Sequence, residues 1–356
     1  MLPDDLEEEE RYTLSSLSEH DYGSSCFYSL SDEERYTLSS NQWKLGKTRC
    51  VGSSHGWLIL AEDQPYIYNP FRGVSIQLPS LRSFPGFTGN DRKDIYSHTD
   101  NDDDLQVEYL LFTHLVSAGW IGDSKWTDLQ AANKFSLFYM DVIWCQDHLY
   151  ALSHKASVEI WDFSSSASSV PVKKMEIEPT FFETEVELKE LSRDLYTNQS
   201  YIVEAMGEIL LVVRYIGQFV GKEDCVPVPK KDRSLYGCTY TTLKFWVFKL
   251  DFARTVWEEI ESLGDLGLFL GGNHSLSLST AGHGSPSCRQ NSIYFTDANW
   301  SEMDSSHWGW AGGHDMGVFN MEDKSIKQVY KTKSPVIQPP PFWVVPGQST
   351  VETVLY

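Results

Sequence analysis

Any chemistry in this chain has to come from a few carboxylates, histidines and tryptophans set at the ends of apolar runs. Asp141, Asp162, Asp297 and Asp315 each flank such a run. Paired carboxylates facing one another across a channel are how glycoside-active sites protonate and displace a sugar oxygen. Aspartate at a strand end more commonly caps a turn through its own backbone, and that is the role the sequence assigns to all four. Gly52-Ser53-Ser54-His55-Gly56 has the outline of a nucleophile elbow, but a strand-like run follows where the elbow requires a helix. Its glycines are read as serving tight turns and close packing. Neither a P-loop nor a G-x-G-x-x-G or H-E-x-x-H pattern is present.

Metal-ligand types fare no better. Asp100-Asn101-Asp102-Asp103-Asp104 lacks the glycine and distal glutamate of an EF-hand and reads as a solvated loop. His307, His314 and Asp315, with His274, His283 and Cys288 upstream, fit no common zinc spacing. No catalytic residue, metal or cofactor is expected. The same stretch, residues 297–315, also carries Trp300, Trp308 and Trp310 among Gly, Ser and Asp. Tryptophans on loops are the residues that dominate protein interfaces. Trp300, His307, Trp308 and Trp310 are therefore the candidate partner-binding residues; the alternative is that the rings fold back to plug one end of the fold.

The elements that must position these residues are strands. Residues 50–79 read as a three-strand meander: Gly56-Trp57-Leu58-Ile59-Leu60, then Tyr66-Ile67-Tyr68, then a strand ending at Leu78-Pro79. Runs apolar on both faces and bounded by Gly, Asn and Pro belong to strands covered on both sides. One meander cannot cover itself, and copies recur. His148-Leu149-Tyr150-Ala151-Leu152 with Trp161-Asp162-Phe163 repeats the first. Gly207-Glu208-Ile209-Leu210-Leu211-Val212-Val213 opens a second copy whose outer strand, residues 245–251, is displaced by a Lys- and Pro-rich insertion around residues 226–233. Residues 291–296 and 316–321 make a third. The first strands start near residues 56, 148, 207 and 291, and two of the intervals are close to twice the about 40–50 residues of a propeller blade. Degenerate blades are expected near Val107 and near Leu268. The expected fold is all-β: a β-propeller of about six or seven four-stranded blades with few short helices, a closed pair of β-sandwiches being the runner-up. The helix candidates are residues 123–134 and 182–195.

Composition bounds the partners. With 356 residues, 41% hydrophobic and 12 Trp, 18 Tyr and 18 Phe, the chain has ample material for a core. Its 29 basic against 50 acidic residues leave a net charge of −21, which repels phosphate backbones and anionic headgroups. Nucleic acid and membrane are not expected partners; a protein with a basic patch is. The six cysteines form no C-x-x-C pair, and the start of the chain has no signal-peptide pattern, so a cytoplasmic or nuclear location is expected. Residues 1–25 are read as an acidic, disordered tail, 26–346 as the propeller and 347–356 as a second tail. The heptad Glu10-Arg11-Tyr12-Thr13-Leu14-Ser15-Ser16 recurs at residues 34–40, and its first copy is expected to have no partner strand. Residues 26–30 and 342–345 are the candidates for closing the ring.

Four segments carry a family resemblance: CVGSSHGWL with Tyr68-Asn69-Pro70-Phe71; residues 201–214; Phe248-Lys249-Leu250-Asp251 through residues 263–271; and residues 291–297 with His314-Asp315-Met316-Gly317-Val318-Phe319. Taken in order, they make the chain resemble the KIB-type β-propeller of plant F-box proteins. The resemblance implies a non-enzymatic module that selects substrates for ubiquitination. Leu2-Pro3-Asp4-Asp5-Leu6 looks like the opening of an F-box, but four glutamates replace its helical pattern. Direct docking to a ubiquitin-ligase adaptor is accordingly not expected. A glycoside-active propeller with channel carboxylates and a degenerate family copy without a ligase partner are the alternatives.

Overall fold

The computed structural model describes residues 13–15, 26–30, 34–37, 49–54, 57–61, 64–70, 72–80, 83, 139–162, 172–179, 196–220, 239–272, 275–280, 288–297, 315–329 and 341–344. Among them are strands and no α-helix. The first sheet takes β1 (Thr13–Ser15), β2 (Cys26–Ser29) and β3 (Arg35–Thr37) from the start of the chain and β21 (Phe342–Val344) from its far end, in the order β21-β1-β2-β3. The second is β4 (Arg49–Ser54), β5 (Trp57–Ala61), β6 (Tyr66–Asn69) and β7 (Val74–Gln77), in sequence order. The third runs through β8 (Tyr139–Cys145), β9 (His148–Ser153), β10 (Val158–Asp162) and β11 (Val172–Ile177). The fourth runs through β12 (Tyr196–Ala205), β13 (Glu208–Val220), β14 (Thr239–Asp251) and β15 (Val256–Ile260). The fifth contains β16 (Leu266–Leu270), β17 (Leu276–Ser279), β18 (Ser292–Phe295), β19 (Gly317–Asn320) and β20 (Ile326–Gln328), in the order β17-β16-β18-β19-β20.

Apolar clusters between successive sheets make this a propeller. Ile143, Leu152 and Ile160 of the third sheet pack against Leu211, Val213 and Phe248 of the fourth. On its other face the fourth packs Val212, Phe245 and Val247 against Leu268, Ile293 and Phe319 of the fifth. Phe269 and Tyr294 of the fifth meet Trp343 and Tyr28 of the first, whose Phe342 and Val344 meet Leu58 and Leu60 of the second. Because side chains alternate across a strand, the central strands β13, β14, β16 and β18 each feed two of these clusters and therefore read as continuous apolar runs.

Several expectations change. The described residues show five sheets, four of them four-stranded, where about six or seven four-stranded blades were expected. Residues 107–115, the site of one expected degenerate blade, lie outside the described residues, as do both helix candidates. The other expected blade, near Leu268, is not separate: β16 pairs in parallel with β18 and belongs to the fifth sheet. Gly267 fits there because a Cβ would stand 2.3 Å from the Cys288 Sγ and 3.3 Å from the Arg289 carbonyl oxygen. The first copy of the heptad does have partners. Within the stretch read as a tail, Thr13–Ser15 pairs with both β2 and β21, and Arg35–Thr37 of the second copy takes the far side of β2. Both terminal runs expected to close the ring stand in this one sheet, with β1 between them. The strands on either side of the Lys- and Pro-rich stretch are long: β13 and β14 have 13 residues each, and their pairing reaches Val220 and Thr239, while residues 226–233 lie outside the described residues.

Candidate functional site

Strand direction brings two long connections to one face. In the fourth sheet β12 turns into β13 at Met206 and Gly207, which both have positive φ, as the two-residue turn of a right-twisted hairpin requires. The β13–β14 connection therefore leaves at the opposite end. The stems of the β18–β19 connection lie toward that same end, since Tyr240 and Thr242 at the start of β14 bond to Asp297 and Asp315. The described stems of the Trp-bearing stretch thus stand beside the start of β14.

Arg214 organises the base of this face. On β13 the alternation sends Leu211, Val213 and Tyr215 toward the third sheet, leaving Arg214 on the face of Leu210 and Val212, toward the fifth. The residue is fully buried. Its Nε donates to Thr242 Oγ1 at 2.8 Å, and Nη1 donates to the Tyr201 hydroxyl at 3.2 Å and the Thr296 carbonyl at 2.8 Å. Nη2 donates to the Asp315 carbonyl at 3.0 Å and to Asp315 Oδ2 at 2.9 Å. All five N–H groups of the guanidinium are used. The guanidinium carbon also lies 4.7 Å from the centroid of the Phe295 ring, within cation–π range.

The carboxylates complete the network. Asp315 Oδ1 accepts from the Thr242 N–H at 2.9 Å and its Oδ2 from the Thr242 hydroxyl at 2.8 Å. Asp297 Oδ2 accepts from the Tyr240 hydroxyl at 2.7 Å and from the Asp315 N–H at 3.2 Å. Burial, and then the neighbouring Asp315 carboxylate, push the Asp297 carboxyl up to about 7, with Tyr240 and Arg214 pulling the other way. Burial works against the charge of Arg214, but Tyr201, Asp315 and Asp297 outweigh it and hold its pKa above the ordinary value. A lone buried charge is costly unless it is paired and hydrogen-bonded, and here it is both. The result is a polar clasp across the two stems of the insertion, Thr296-Asp297 and Asp315-Met316, fixed to the hairpin by Thr242 and Tyr240.

The other aspartates go elsewhere. Asp141, buried on β8, accepts from the Val142 N–H at 2.8 Å, the Ile202 N–H at 3.1 Å and the Ser275 hydroxyl at 2.7 Å, so it ties the third, fourth and fifth sheets together. Burial raises it to about 6 against the lowering effect of those bonds. Asp162 ends β10 and pairs with Lys174 at 2.8 Å. The expectation that all four cap turns is therefore corrected. Asp141, Asp297 and Asp315 join sheets, whereas turn capping falls to Asp251, which accepts from Ala253 and Arg254 N–H groups. Ser53 of the elbow-like segment is buried and donates to the Trp343 carbonyl of β21 at 3.1 Å.

Trp300, His307, Trp308 and Trp310 lie outside the described residues, and so do His274, His283 and His314. Of the zinc-type ligands, Asp315 is committed to Arg214 and Thr242, and burial pushes the Cys288 thiol up to about 12, which keeps it protonated. No group of three His, Cys, Asp or Glu that could hold a metal occurs among the described residues. Arg214 was not singled out from the sequence as a site residue. Its signal was an arginine directly after Ile209-Leu210-Leu211-Val212-Val213, a charge where the strand pattern demands a core residue.

Comparison with known proteins agrees with this architecture. Residues 27–320 match the family described as KIB1-4 beta-propeller. The chain is 26% identical over 242 residues to F-box protein KIB3 of Arabidopsis thaliana, covering 64% of this chain and 48% of that protein. It is 22% identical over 289 residues to F-box/kelch-repeat protein KIB1 of the same plant, covering 79% and 63%. With F-box only protein 7, also of Arabidopsis thaliana, the identity is 22% over 159 residues, covering 44% and 32%. The chain thus spans less than two thirds of the length of each of these relatives.

Proposed function

The chain belongs to the KIB1-4 beta-propeller family, and we propose that it is a non-enzymatic protein-interaction module of the kind that selects substrates for a ubiquitin ligase. The observation that carries this reading is the clasp around Arg214. Three of the five hydrogen bonds from one buried side chain hold the two stems of the insertion that bears Trp300, His307, Trp308 and Trp310, and the other two fix that side chain to Thr242 and Tyr201. Holding both ends of a loop lowers the entropy lost when its aromatic residues engage a partner, which is how preorganisation raises affinity. The ligase context comes from the F-box proteins to which the chain is similar. A net charge of −21 favours a partner with a basic patch.

The test compares wild-type protein with a Trp300→Ala, Trp308→Ala, Trp310→Ala triple variant as baits in plant extract, with bound proteins quantified by mass spectrometry. The expected result is a defined set of basic proteins lost from the variant while the two baits melt at the same temperature. Equal retention by both baits would refute the role of the tryptophans.

A further inference from the structure

The heptad that occurs at residues 10–16 and again at residues 34–40 ends up on both sides of one strand. Thr13–Ser15 of the first copy and Arg35–Thr37 of the second run antiparallel to β2 on its opposite edges. The two are not tied to β2 alike. β3 follows it through a short turn in which the Ser29 N–H donates to the Glu34 carbonyl at 2.9 Å. β1 is joined to it by residues 16–25, although Ser15 and Phe27 stand opposite one another and a turn of about two residues would close such a pair. Residues 16–25 can reach about 33–36 Å when extended, so the connection does not fix which copy of β2 the strand must join.

The slot that receives β1 is held by other sheets. On one wall, the Trp343 Nε1 of β21 donates to the Leu270 carbonyl at 2.8 Å, its carbonyl accepts from the Ser53 hydroxyl at 3.1 Å, and its ring meets Phe269 edge-on with centroids 5.2 Å apart. Phe342 and Val344 pack on Leu58 and Leu60 of the second sheet. On the other wall, Tyr28 of β2 packs among Phe269, Tyr294 and Trp343. Between the walls Thr13 lies opposite Ser29 and Val344, Leu14 opposite Tyr28 and Trp343, and Ser15 opposite Phe27 and Phe342. Backbone pairing on both edges is what holds β1, and open strand edges pair as readily with another chain as with their own.

We propose that this slot is a strand-acceptor site filled in trans by the first heptad of a second copy, so that two chains exchange β1 and close each other's rings. Neither the insertion nor its tryptophans take part. The net charge of −21 on each chain opposes their approach, so exchange is favoured at high protein concentration and in salt that screens the charge.

The test uses the full chain carrying Thr13→Cys and Val344→Cys, which set two cysteines directly opposite each other across the β1–β21 pair. Isotopically light and heavy forms are mixed at high concentration in salt, oxidised and digested, and the linked peptides bearing positions 13 and 344 are identified by mass. Links joining a light to a heavy peptide are expected. Leu14→Pro in both forms is expected to abolish them, because a strand paired on both edges has no position that tolerates the loss of an N–H donor. Should the double variant not fold, the chain lacking residues 1–16 is mixed with a synthetic peptide of residues 7–18. The peptide is expected to raise its melting temperature, and the same peptide with Leu14→Pro to leave it unchanged. Links confined to one chain, mixed links that survive Leu14→Pro, or a shortened chain that melts alike with and without the peptide would overturn the proposal.

Discussion

Replacing Arg214 by methionine isolates the clasp from the rest of the core. Methionine fills much of the same volume but offers none of the five N–H donors that serve Thr242, Tyr201, Thr296 and Asp315. Side chains of the Arg214–Asp315 pair are 1% and 6% exposed, so solvent does not replace the lost partner. Removing one member of a buried ion pair costs about 3–5 kcal/mol, because the other charge is left in a low-dielectric site. Against a total stability of about 5–15 kcal/mol, that is a loss large enough to measure in urea. The cost should itself depend on pH. Without the guanidinium, which pulls the Asp297 carboxyl down, that carboxyl shifts further upward, so the variant is closest to wild type in acid and falls away as pH rises. Arg214→Met with Asp315→Asn should cost less than the sum of the single changes, by about 2 kcal/mol, since the second change removes the stranded charge. The assay is urea unfolding followed by circular dichroism for all four members of the cycle at two pH values. An Arg214→Met variant within about 0.5 kcal/mol of wild type, or strict additivity in the cycle, would refute the reasoning.

Two further outcomes follow from the fold. Deleting residues 1–16 removes β1, which lies between β21 and β2, and uncovers unpaired backbone on both; a clear drop in melting temperature is expected, and an unchanged melting curve would mean that the ring closes without this strand. Gly267→Ala puts a Cβ 2.3 Å from the Cys288 sulfur and should cost about 1–3 kcal/mol through overpacking, while Cys288→Ala in the same chain should recover part of the loss; equal costs with and without Cys288 would rule out this contact as the cause.

Much of the strand plan is legible from local pattern. Leu58, Leu60, Leu149 and Leu152 sit in runs whose apolar content on both faces already demands neighbours on both sides, and β5 and β9 occupy the same place in their sheets, as the alignment of the two runs expects. The turn at Gln146-Asp147 is likewise a local matter, set by two residues that accept positive φ. Pairing of short or distant strands is less legible. Thr13–Ser15 gains its identity as a strand from Phe342–Val344 at the other end of the chain, and nothing in its own few residues shows that partner. Leu266–Leu270 has the composition of a strand, but its parallel pairing with β18 is what merges it into the fifth sheet.

The site divides along the same line. By itself the sequence determined that the chain is built from repeated strands with apolar content on both faces, that it bears strong negative charge, and that three of its twelve tryptophans fall in one insertion. These are properties of composition and of side-chain alternation, and both are local. Only the tertiary structure decided that Arg214, Thr242, Asp297 and Asp315 form one network. Arg214 reaches its partners Thr296 and Asp315 across 82 and 101 residues of sequence. The worth of a buried charge depends on which groups desolvate and neutralise it, and those groups are chosen by how the sheets pack around the ring.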